Sequence, residues 1–82
     1  MSNFLEAAKK ILTMKKQPLH YREITRFAIE EGVLSTEGLT PEASMNALIA
    51  GDIKKNGMSS NFVKMGKGVF TLNDNKIDFR FF

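Results

Sequence analysis

Between Thr40 and Leu72 the chain carries a helix start, a helix stop and two strand patterns, and few folds accommodate them in that order. Thr40 stands at the N-cap position and Pro41 at the first helical position, where a missing N–H costs nothing. Glu42 follows in the first turn, where the helix dipole favours a negative charge. The helical pattern runs to about Lys55, and Asn56-Gly57 stops it, because Gly takes the left-handed conformation at little cost. After a short polar link, F-V-K-M (62–65), G-K-G (66–68) and V-F-T-L (69–72) predict strand, Gly-rich turn and strand: a β-hairpin.

Two further helices precede this unit. From about Phe4 to Met14, Phe4, Leu5, Ala8, Ile11 and Leu12 share one face, while Glu6, Lys9, Lys10 and Thr13 share the other. Lys15-Lys16-Gln17-Pro18 ends that helix, since Pro disfavours helix at the residue before it. Leu19-His20 is a short extended segment able to pair with the later hairpin. From Tyr21 to about Glu31, Tyr21, Ile24, Phe27 and Ala28 form an apolar stripe opposite Arg22, Arg26 and Glu30. Gly32 closes this helix, with Val33 and Leu34 placed for the hydrophobic contact that accompanies such a cap. Ser35 to Leu39 reads as a loop.

With 82 residues the chain makes one domain, of a size that buries only about 60–65% of the unfolded surface. No run approaches the roughly 20 apolar residues of a membrane span, and the N-terminus lacks the charged-then-apolar order of a signal peptide. Without cysteine, disulfides and thiolate chemistry are excluded, and the expected setting is intracellular. The charge is unevenly spread. Residues 53–72 carry Lys54, Lys55, Lys64 and Lys67 and no acid, whereas residues 21–52 hold six acids against Arg22 and Arg26. Basic charge thus gathers at the end of the third helix and on the hairpin, a phosphate-facing footprint. A merely solvated lysine surface is the competing reading.

On the third helix Met45, Ile49 and Ile53 form the inner edge, with Leu48 at its margin. Ala43, Ser44, Ala47, Ala50, Gly51, Lys54 and Lys55 lie opposite. Gly51 inside a helix costs ~1 kcal/mol relative to Ala. Either a nucleic-acid backbone or thymine methyl approaches this face, or Ala43, Ala47 and Gly51 pack tightly against a neighbouring helix. The face as read lacks the Arg, Asn or Gln that makes bidentate hydrogen bonds to bases. A helix ending in lysines, followed by a lysine-bearing hairpin, is the layout of a recognition helix and a wing.

Catalytic chemistry finds little footing. His20, the single histidine, sits between Leu19 and Tyr21 as a helix-start residue, and no ligand set at metal spacing accompanies it. Ser35 and Thr36 have no base to activate them. G-K-G at 66–68 lacks the spacing of a phosphate loop. The chain is expected not to be an enzyme, and no cofactor is called for.

F-L-E-A-A-K-K-I-L, P-L-H-Y-R-E-I, G-V-L-S-T-E-G-L-T-P-E-A-S-M-N-A, D-I-K-K-N-G and F-V-K-M-G-K-G-V-F-T-L, in that order, closely resemble the HARE-HTH family over about Ser2 to Leu72. This is the winged-helix module of restriction endonucleases, Asx-like chromatin proteins and, in divergent form, the delta subunit of bacterial RNA polymerase. The resemblance implies an α+β winged helix-turn-helix, with three helices and a small antiparallel hairpin wing. It also implies DNA binding linked to transcription, chromatin or DNA modification. By position, Thr40-Pro41 opens the recognition helix, Asp52-Ile53-Lys54-Lys55 closes it and Gly66-Lys67-Gly68 is the wing turn. Two features depart from the pattern: the small, apolar outward face at Ala47, Ala50 and Gly51, and a module that fills almost the whole chain.

The expected division is a winged-helix domain over 1–72 and a tail over 73–82. The tail opens as a polar turn at Asn73. Ile77, Phe79 and Phe81 then alternate with Asp78 and Arg80, as in a half-buried strand. Such a strand covers the domain's own sheet edge, pairs with a second copy, or stacks on single-stranded bases; the favoured expectation is a homodimer. The expected ligand is double-stranded DNA, contacted by Ser44, Ala47, Gly51, Lys54, Lys55, Lys64 and Lys67. A protein–protein adaptor, resembling the polymerase-subunit use of the fold, is the alternative.

Overall fold

The computed structural model describes residues 4–36 and 39–73. Helix α1 spans Phe4–Lys15, strand β1 Leu19–His20, helix α2 Tyr21–Glu30 and helix α3 Pro41–Asn56. A 3-10 turn at Gly57–Ser59 leads to β2, Phe62–Gly66, and β3, Val69–Leu72. The three strands form one antiparallel sheet in the order β1-β3-β2. This is the expected α+β architecture of three helices and a hairpin, with β1 added to the hairpin as anticipated at Leu19-His20.

Local chemistry explains most boundaries. Helix α1 ends where Lys16 turns to φ 56°, its N–H still reaching Leu12 O at 3.0 Å, so the chain reverses two residues before Pro18. Helix α2 ends in a Schellman arrangement. Gly32, at φ 75°, donates to Ile29 O, and Val33 donates to Ala28 O. Leu34 then drops into the core. Helix α3 starts after Thr40 as expected, but the Thr40 side chain makes no capping hydrogen bond. Its carbonyl accepts from the N–H groups of Ala43 and Ser44 instead. Gly57 is the C-cap, and its N–H reaches Ile53 O.

The core lies where the three helices meet one face of the sheet. Ala7, Ala8, Ile11 and Leu12 of α1 meet Ile24 and Ala28 of α2 and Met45 and Ile49 of α3. Phe62, Phe70 and Leu19 close it from the sheet. Burying one such Phe is worth ~1.5–3 kcal/mol, and Phe70 is 1% exposed at the centre of the middle strand.

Polar residues tie α3 to the sheet. Ser60 Oγ, almost fully buried, donates to Asp52 Oδ2 and accepts from the Phe62 N–H at 3.1 Å. Asn56 Nδ2 donates to the other Asp52 oxygen at 2.9 Å. Asn73 is not the start of a solvated turn. It is 9% exposed, and its side-chain amide donates to Met58 O and Ser60 O at 2.9 Å each. The tail residues Ile77, Phe79 and Phe81, with the dimer expectation they carry, lie outside the described residues.

Candidate nucleic-acid interface

The candidate interface is the outer face of α3 together with the hairpin. Ala43, Ser44, Ala47, Ala50, Gly51, Lys54 and Lys55 are all exposed, and Met45 and Ile49 are fully buried beneath them. The alternative that Ala43, Ala47 and Gly51 pack on a neighbouring helix fails among the described residues. A Cβ built on Gly51 meets nothing within 4 Å.

The wing turn is tighter than the G-K-G pattern predicts. Gly66 belongs to β2, the pairing slips between Lys64 and Gly66, and Lys67-Gly68 alone make the turn. The slip is a bulge at Met65, a device that re-aims side chains near a strand end. Gly68 has φ 73°, and its carbonyl accepts from the Tyr21 N–H at 2.9 Å. A Cβ at Gly68 would stand 2.9 Å from His20 Nε2 and 3.0 Å from Tyr21 Cε2. The turn is therefore seated on the start of α2. His20 serves there as the N-cap, its Nδ1 accepting from the Arg22 N–H at 3.2 Å, and its ring lies 4.2 Å from that of Tyr21.

These constraints leave a groove of about 360 Å³ between helix and wing. Asn46 and Ala50 of α3 line one side and Lys64, Lys67, Gly68 and Phe70 of the hairpin the other, with His20 and Tyr21 between them. Side chains alternate along a strand, so Lys64 shares the helix-facing side with Phe62 but extends past the rim of the core, exposed. The structure thus brings two of the expected lysines, Lys64 and Lys67, into one site with α3. Lys54 stands at the next four-residue step after Asn46 and Ala50 and is exposed, but it does not line the groove. Lys55 shares the far side of the exposed face with Ser44. Asn46 corrects the expectation that α3 offers no base-reading amide: it is half-exposed at the groove wall. Its side chain makes no hydrogen bond with any described residue.

A three-helix unit carrying an antiparallel hairpin, with an exposed third helix beside a basic wing, defines a helix-turn-helix DNA-binding module of the winged type. The chain belongs to the HARE-HTH family: the family model, described as a helix-turn-helix domain of ASXL proteins and restriction endonucleases among others, matches residues 3–74. No curated protein and no solved structure matches the chain. The family is a DNA-binding one and not a catalytic one. Among the described residues no helix is long and apolar enough to cross a membrane, and no group of three His, Cys, Asp or Glu side chains is placed to hold a metal ion.

Proposed function

We propose that the protein binds duplex DNA inside the cell as a winged-helix accessory factor in transcription or DNA modification, without catalytic activity of its own. Helix α3 enters the major groove by its outer face, where Ser44, Ala47 and Gly51 allow close approach. Lys54, Lys55, Lys64 and Lys67 neutralise phosphates on either side. The observation that carries this reading is the convergence of Lys64 and Lys67 with α3 around one open groove. An α-helix fits the major groove of B-DNA, and the lysines of an adjoining hairpin then meet the backbone beside it.

The test is a duplex titration over a salt series. If about three lysines touch phosphates, log affinity falls with log salt at a slope of roughly −3. Lys64→Ala and Lys67→Ala each reduce that slope by about one, equally for all sequences. No duplex binding at low salt removes the proposal.

A second reading, a protein-docking adaptor, draws on a different surface. Met58 and Met65 are 72% and 58% exposed. Met58 borders an apolar pocket of about 350 Å³ with Ile53, Phe62 and Val63. Under that reading, Lys67→Ala changes nothing and Met58→Glu abolishes partner binding.

A further inference from the structure

We infer that Asn46 is the base-reading residue of this surface and that the base it reads is adenine. The inference rests on the DNA-binding reading above and assigns the sequence preference that reading leaves open. On the exposed face of the helix, Ala and Gly carry no hydrogen-bonding side chain, Ser44 has a single hydroxyl, and Lys54 and Lys55 are committed to phosphates under that reading. The amide of Asn46 is the exception on the wing side.

Three observations support it. Asn46 is half-buried within a 16-residue helix, so its backbone is already ordered before any contact. Its amide is uncommitted among the described residues, leaving both an N–H donor and a carbonyl acceptor free. It also stands across the groove from Lys64 and Lys67, one turn before Ala50. Cations seated on the phosphates therefore bring the amide to the base edges, and Ala50 adds no bulk to hold them apart.

The chemistry then selects the base. Adenine shows the major groove an acceptor at N7 and a donor at the N6 amino group, the complement of Nδ2–H and Oδ1. Guanine shows two acceptors, N7 and O6, so one of them faces the amide oxygen and repels it. Cytosine offers only its N4 donor and thymine only its O4 acceptor, so each makes a single bond. The thymine methyl of the same pair can rest on Ala47 or Ala50, the apolar contact that Ala makes.

The experiment is selection of duplexes from a random-sequence pool by the wild-type chain, by Asn46→Ala and by Asn46→Asp. The wild type enriches an A·T pair at one position, with a discrimination of about five- to a hundredfold. Asn46→Ala loses that enrichment and binds the selected duplex about five- to a hundredfold more weakly, while its salt slope, set by the lysines, stays that of the wild type. Asn46→Asp, which only accepts, shifts the preference to cytosine. A second measurement needs no variant: replacing the selected adenine by 7-deazaadenine removes N7 and weakens wild-type binding about tenfold. Duplex binding without positional preference, a preference that survives Asn46→Ala, or indifference to 7-deazaadenine overturns the inference and leaves DNA binding standing. Failure to retain any duplex overturns both.

Discussion

Gly51 and Gly68 both lie on the surface assigned to DNA, and both look in sequence like places where a side chain is unwelcome. Their surroundings differ. Gly68 is held at φ 73° with His20 and Tyr21 within 3.1 Å of where a Cβ would stand. Gly51 sits in ordinary helix with open space around it. The first glycine is required by the fold. The second weakens the fold, and nothing in the described structure requires it. On the DNA-binding proposal, a glycine with no internal reason on α3 fits a closest approach at that helix rather than at the wing turn.

Three substitutions sharpen or break this contrast. Gly68→Ala has the largest effect, since a left-handed Ala costs ~1–2 kcal/mol and the contact with His20 adds to it. A loss of about 2 kcal/mol lowers the melting temperature by roughly 10 °C; an unchanged melting curve would show that the turn is not seated as described. Gly32→Ala is the control with the same kind of backbone, at φ 75°, but no neighbour within 4 Å. It loses only the conformational part, about 1 kcal/mol, measurable by urea unfolding. Gly51→Ala goes the other way and gains about 0.5–1 kcal/mol. Its affinity for duplex DNA falls at the same time, because the methyl stands where the groove comes closest. Should the variant gain stability and bind as well as wild type, α3 does not approach DNA at Gly51.

How far the sequence discloses this structure depends on the range over which a residue acts. Helix α3 and the hairpin are legible because Pro41, Gly57 and the 62–72 alternation act through their own backbone or immediate neighbours. Strand β1 is harder: two residues have no period, and Leu19-His20 becomes a strand only through pairing with Phe70 and Val69. Ser60 and Asn73 look like solvated link residues. Their burial follows from Asp52, eight residues before Ser60, and from carbonyls at least 13 residues before Asn73. Of the site, the lysines are visible as uncompensated charge, and the small face of α3 as a break in amphipathicity. Asn46 is not, because helical periodicity puts it at the margin between inside and outside. Only the placement of the wing turns that margin into a groove wall.

The Tyr21 N–H bond to the Gly68 carbonyl has a mechanical consequence. A wing hung from two strands alone would swing, and would settle only when DNA arrived. Anchored to the first residue of α2, it holds helix and hairpin like the jaws of a fixed caliper. Little ordering entropy then opposes binding. On the DNA-binding proposal, a span held in this way leaves the cost of reshaping to a duplex of unsuited width, and stiff sequences resist it more than pliant ones.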